Sequence, residues 1–185
     1  MPAPTVVATL LEEASISVVL DLCSYPIDRR ESYIADLFHV LRVLRERKFR
    51  PQWIVLEEAQ QFLPLHGNTI VTALQPMLER GGWAFVSYRP DRIAQPILHA
   101  LDHCLLARLS NPEAIEAVQP VVNTPSVETL TATPDGHVWL CGEQLVRLRS
   151  SGRRIPHVRH LYKYLDVPLP MGKRFHFHTE AEDLG

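Results

Sequence analysis

Residues 53–64 read Trp-Ile-Val-Leu-Glu-Glu-Ala-Gln-Gln-Phe-Leu-Pro. A short apolar run ends in two adjacent carboxylates, Glu57 and Glu58, and a break follows at Pro64-Leu65-His66-Gly67. The run predicts a buried strand over 53–57, with both acids at its C-terminal end. In an α/β sheet that is the edge where ligands bind. One carboxylate there can help hold magnesium, and the next can polarise a water. Taken alone, the stretch reads better as a strand ending in a solvated acidic loop, because acidic residues after strands are common.

The flanking segments extend the pattern. Upstream, residues 16–22 (ISVVLDL) form a continuous apolar run containing Asp21, which predicts a buried parallel strand. Residues 29–48 then place Ile34, Leu37, Phe38, Leu41 and Leu44 at helical spacing, with Pro51 as the stop. Downstream, residues 69–80 read as an amphipathic helix, 83–87 (WAFVS) as a third strand and 104–109 as a fourth. Asn111-Pro112-Glu113 opens a helix: Asn caps, Pro suits the first turn, and an acid favours the positive end. Strands alternating with helices predict α/β with a parallel sheet.

After about residue 125 the pattern changes. Residues 127–149 read as a meander of short strands, with turn signals at Pro134-Asp135-Gly136 and Gly142-Glu143. Arg147–Arg159 is basic, Leu161–His178 reads as an extended tail laid over a surface, and Glu180–Gly185 as frayed. Residues 1–15 read as loop plus short helix.

Bulk properties narrow the function. The chain has 185 residues, 46% hydrophobic, enough for one globular core. A net charge of −2 gives no global field for nucleic acid, so DNA binding would need a local patch or a ring of subunits. No run is long enough to span a bilayer, and the Met-Pro-Ala-Pro start does not read as a signal peptide, so a cytoplasmic protein with no membrane partner is expected. Cys23, Cys104 and Cys141 read as small buried hydrophobes. His157, His160, His176 and His178 lack a carboxylate or thiolate spaced to complete a metal site and read as exposed or stacking side chains.

A polar cluster closes the third strand, Ser87-Tyr88-Arg89-Pro90-Asp91-Arg92. Three stretches in the same order, WIVLEEAQQFLP, SYRPDRI and LDHCLLARLSNPEAIEAV, resemble the HerA/FtsK superfamily of P-loop motor ATPases, most of all the HerA-like DNA translocases and helicases. The first is similar to that family's Walker B motif, the second to its Ser/Thr-Gln-Arg-Pro-Ser-Arg signature, the third to the following strand and helix. The resemblance covers roughly residues 16–120.

It implies a partial RecA-like three-layer core over residues 1–126, an ATPase half-domain, followed by a C-terminal β-hairpin or meander and tail over 127–185. It implies Glu58 and Arg89 as catalytic residues and Glu57 as the magnesium-associated residue. Asp21, Ser87 and Tyr88 line the nucleotide site, with Tyr88 where the family carries Gln. Gln60 stands where His is common, and Leu78 stands where relatives carry an Arg.

The family's G-x-x-x-x-G-K-[ST] phosphate loop has no counterpart: the first glycine is Gly67, after the acidic pair, and Gly172-Lys173 is followed by Arg174. A truncated, incomplete ATPase module is therefore expected, which takes ATP and Mg2+ only if a phosphate-binding loop is supplied elsewhere. In the family context its partners are DNA, other copies in a hexameric ring, and a nuclease or motor subunit. The alternative is a catalytically inactive interaction domain that binds a motor subunit or DNA. The resemblance also implies a central strand between 83–87 and 104–108, for which no segment is available. Either 83–87 and 104–108 pair directly, or a piece from the N-terminus, the tail or another subunit fills the slot; strand 53–57 is expected beside both 16–22 and 83–87, and 104–108 is expected to be poorly placed or re-paired.

Overall fold

The long helix that the Ile34–Leu44 spacing predicts organises the molecule. In the computed structural model it runs Ile27–Lys48 and buries Ile34, Leu37, Phe38, Leu41 and Leu44, each at most 8% exposed. The model describes residues 1–13, 16–22, 25–48, 52–152, 177–178 and 183–184. A first helix, α1 (Pro4–Glu13), packs on this long helix, α2, burying Val7 and Ala8. The Tyr33 hydroxyl anchors the pair by donating to the Pro2 carbonyl at 2.9 Å.

Strand β1 (Ile54–Leu56) and strand β2 (Trp83–Phe85) pair in parallel, Ile54 opposite Trp83 and Leu56 opposite Phe85. Helix α3 (Thr69–Leu78) connects them and lies against α2. Asn68 caps α3: its Oδ1 accepts from the Val71 N–H at 3.0 Å, and its Nδ2 ties back to the Phe62 carbonyl at 3.0 Å. Ile54, Leu56, Trp83 and Phe85 pack on the core that contains α2 and α3. In the other row Val55 of β1 is 58% exposed and Val86, just beyond β2, 52%, while Ala84 of β2 is half-buried.

Where β1 and β2 begin, one buried cation holds them together. The Arg45 side chain of α2 donates to the carbonyls of Gln52, Gly81 (3.1 Å) and Gly82 (3.4 Å), and its guanidinium lies 5.0 Å from the Trp83 ring centroid. Burial pulls its pKa down, as does the charge of nearby Arg80. A buried guanidinium without a carboxylate is costly unless hydrogen bonds satisfy it, and three carbonyls with an aromatic face supply much of that compensation.

The remaining elements of this unit are α4 (Gln95–Leu98), β3 (Cys104–Leu106), α5 (Pro112–Val118), α6 (Val127–Thr131), β4 (His137–Cys141) and β5 (Val146–Arg149). Strands β3, β4 and β5 form an antiparallel sheet in that order. Asn111 caps α5 as its sequence predicts, with Oδ1 accepting from Glu113 N–H at 2.9 Å and Ala114 N–H at 3.4 Å. The Pro134-Asp135-Gly136 turn is also present, with Gly136 at φ 75° and His137 N–H donating to the Pro134 carbonyl.

The architecture is α/β, with a parallel pair and an antiparallel sheet. Met1–Ser150 forms one compact unit and Ser151–Gly185 a second. Of the second unit only strands β6 (Phe177–His178) and β7 (Asp183–Leu184) are described; they pair antiparallel, so part of the terminus expected to fray is in a ladder.

Two expectations need correction. Residues 16–22 form no strand, so β1 lies beside β2 only. Val18, Leu20 and Leu22 pack against the core while Val19 is 92% exposed. One buried row on an extended segment produces the same apolar run as a paired strand, because composition reports burial and not hydrogen bonding. Residues 127–131 are a helix, α6, not a strand: Ser126 caps it, its Oγ accepting from the Thr129 N–H at 3.3 Å. Finally, β3 is re-paired as expected, but its partner is β4, with Cys104 opposite Cys141. Cys23, His157, His160, His176 and the tail over 161–176 lie outside the described residues.

Candidate functional site

Because β1 and β2 are parallel and in register, the segments that leave them emerge at the same edge of the sheet. The backbone zips those segments together. Val86 N–H donates to the Leu56 carbonyl at 3.0 Å, Ala59 N–H to the Val86 carbonyl at 2.9 Å, and Ala94 N–H to the Leu63 carbonyl at 2.9 Å. Pro64 and Ile93 add an isolated antiparallel bridge. Ala59 and Leu63 are fully buried beneath this seam, so the polar residues between them are held on a fixed base.

Glu58 sits at the sharpest point of the first segment. Its backbone is left-handed, φ 54° and ψ 41°, the one non-glycine residue with positive φ among the described residues. Such a conformation costs of order 1–2 kcal/mol and persists where surrounding structure enforces it. Here the enforcement comes from Ala59, whose buried side chain and cross-segment hydrogen bond fix the turn into the 3-10 helix Ala59–Gln61. Glu57 and Glu58 are both exposed.

A directional relay joins the two segments. Arg89 N–H donates to Ser87 Oγ at 3.0 Å, and the Ser87 hydroxyl donates to Gln60 Oε1 at 2.5 Å. Gln60 Nε2 donates to Glu58 Oε2 at 2.7 Å. The Ser87 and Glu58 partners together fix which way round the Gln60 amide lies. Glu58 and Ser87 are thus two hydrogen bonds apart, with Gln60 between them.

The Arg89 guanidinium, by contrast, is already engaged. Its Nε donates to Asp91 Oδ1 at 2.9 Å, and one terminal nitrogen reaches Asp91 Oδ2 at 2.7 Å and Glu113 Oε2 at 3.3 Å. The Asp91 hydrogen bonds raise the Arg89 pKa; in return Arg89 holds the Asp91 carboxyl below its ordinary value. The Asp91 side chain is 11% exposed and Glu113 73%, so the short fork to Asp91 is the stronger partner.

The structure therefore brings together Glu57, Glu58, Ser87, Tyr88 and Arg89 at one edge. Tyr88 is 66% exposed. Asp21 lies in the extended 16–22 segment and is exposed. Three residues that complete the arrangement had no assigned role in the sequence reading: Gln60 as the bridge, and Asp91 and Glu113 as the partners of Arg89. Asp91 could have been suspected from its place two residues after Arg89. Glu113 could not, since α5 brings it from 24 residues away.

The arrangement fits part of a nucleotide site. Two exposed carboxylates suit a hydrated magnesium ion, and the facing segment presents the Ser87 hydroxyl, whose proton is given to Gln60. Among the described residues no group of three or more His, Cys, Asp or Glu side chains is placed to hold a metal by itself. The sequence supplies no glycine-rich lysine loop for phosphates. The residues gathered at this edge thus supply carboxylates but no cradle for phosphates. No helix among the described residues is long and apolar enough to cross a membrane.

No family model and no curated protein matches the sequence. The fold does match solved structures. It is similar to the genome packaging NTPase B204 from Sulfolobus turreted icosahedral virus 2 in complex with AMPPCP, at TM-score 0.63 and 11% identity, over 79% of this chain and 72% of that one. The same NTPase in complex with ATP-gammaS matches at TM-score 0.62 and 11% identity, over 78% and 71%. In complex with AMP it matches at TM-score 0.60 and 11% identity, over 78% and 71%. The chain has the fold of this packaging NTPase.

Proposed function

We propose that this chain is an incomplete HerA-like ATPase module of a DNA-translocating motor. It contributes the Glu57–Glu58 carboxylates and the Ser87–Arg89 segment to a nucleotide site whose phosphate loop is supplied elsewhere. One observation carries the reading: both acids and the polar segment leave neighbouring parallel strands at one edge, where Gln60 joins Glu58 to Ser87. In this reading Glu57 would help hold hydrated magnesium and Glu58 would orient the attacking water. Ser87, Tyr88 and Asp21 border the nucleotide, and Arg89 faces the terminal phosphate once released from Asp91. Ring assembly with further copies, and a nuclease or motor partner, belong to the same reading, which is supported by the fold likeness to a genome packaging NTPase. DNA contact would fall to exposed basic residues such as Arg147 and Arg149 of β5.

A second reading, a catalytically inactive interaction domain that binds a motor subunit or DNA, is favoured by the pairing of Arg89 with two carboxylates. Titration with magnesium and AMPPCP at millimolar concentration, followed by amide NMR, separates the two. The first reading predicts shifts centred on residues 57–60 and 87–89 that are lost in the Glu57→Gln, Glu58→Gln double variant. Shifts centred elsewhere would leave the second.

A further inference from the structure

The antiparallel pairing of β3 with β4 sets Cys104 directly opposite Cys141. Directly opposed residues on antiparallel strands have Cα atoms about 4.5–5.5 Å apart, with side chains on the same face of the sheet. That range lies inside the separation a disulfide spans, about 4.4–6.8 Å. Both thiols are free in the structure, Cys141 fully buried and Cys104 partly so. Nothing in the nucleotide reading uses either of them.

We propose that Cys104 and Cys141 are a reversible redox pair that closes into a cross-strand disulfide by exchange with a low-molecular-weight disulfide such as oxidised glutathione. Cys104 is the entry point, being the more exposed of the two. Its thiolate attacks one sulfur of the small disulfide, breaking that S–S bond and releasing one thiolate. The Cys141 thiol then gives up its proton to solvent and attacks the Cys104 sulfur, releasing the second small thiol. Two protein thiols are oxidised and one small disulfide is reduced to two thiols, so electrons and protons balance. Burial raises both pKa values, that of Cys141 to about 11, which makes closure slow at neutral pH.

The bond would close a loop carrying α5 and α6. Since α5 supplies Glu113 to Arg89, the loop is contiguous with the candidate site. Closing it restricts the unfolded chain, so the oxidised protein melts later, by roughly 5–10 °C.

The test uses the full-length chain carrying Cys23→Ser, so that only these two thiols remain. It is equilibrated in glutathione buffers from fully reduced to fully oxidised, alkylated and mass-mapped. The expected result is joint loss of both alkylation sites, an intact mass lower by two hydrogens, and one peptide pair linked through Cys104 and Cys141. The thermal midpoint rises in the same buffers and stays flat in Cys104→Ser. Thiols that stay alkylatable in the most oxidising buffer would overturn the proposal. So would a stable mixed disulfide at Cys104, or a bond that forms only after unfolding in urea. Should Cys104→Ser fail to fold, the mass map of the parent chain still decides.

Discussion

Arg89 is the residue on which the two functional readings divide, and its fork to Asp91 is open to direct test. Removing Asp91 leaves the Arg89 guanidinium without its short two-point partner, so Asp91→Ala should lower stability modestly, as a solvent-screened ion pair does. Urea unfolding would measure it, and a change within error would show the fork to be decorative. Protons act on the same pair. The Asp91 carboxyl titrates below its unfolded value because Arg89 hydrogen-bonds its charged form. Its contribution is therefore complete above the unfolded value near 3.8 and is lost as pH falls through the lower folded one. The parent chain should lose more stability than Asp91→Ala on acidification through that window; parallel loss in both would place the acid sensitivity elsewhere. Glu57, Glu58, Ser87 and Arg89 were nameable from sequence because their spacing resembles a known motif order. The Gln60 bridge and the Glu113 contact were not, since hydrogen bonding between loops and the reach of α5 leave no periodic trace.

At the level of elements, the start of β2 tolerates little change. Gly81 and Gly82 are both left-handed, at φ 65° and 76°, yet their surroundings differ. A Cβ on Gly82 would meet the Gln52 carbonyl oxygen at 2.7 Å and the Arg45 guanidinium at 3.1 Å, whereas one on Gly81 meets nothing within 4 Å. Gly81→Ala should cost only the backbone penalty, about 1 kcal/mol. Gly82→Ala should cost about 2–4 kcal/mol, because it also forces apart the Arg45 clamp on β1 and β2. Equal thermal shifts in the two variants would mean that the clamp does not bear on stability. Helices α2, α3 and α5 were legible because each has the required local signature: apolar spacing in α2 and α3, and an Asn-Pro-Glu opening in α5. The 16–22 segment was misread because alternating burial without a ladder partner produces an apolar run all the same. The α6 turn was misread because five residues are too few to show a period.

For the whole molecule, the parallel pair and its helices place two acids and a polar segment at one edge, on a fold shared with a packaging NTPase. The same pair leaves Val55 of β1 and Val86, just beyond β2, open to solvent on the face away from α2 and α3. That is unusual for parallel strands, which are commonly covered on both sides. On the proposed reading, this chain holds the acidic half of a nucleotide site and lacks the phosphate cradle. Without amides and a lysine to fix the β- and γ-phosphates, Glu58 would have no positioned phosphate for a water to attack. The most direct measurement is steady-state phosphate release from ATP and magnesium by the purified chain, beside its Glu58→Gln variant. The expected result is no turnover in either protein above the buffer blank, and magnesium-dependent turnover that disappears in Glu58→Gln would contradict the claim.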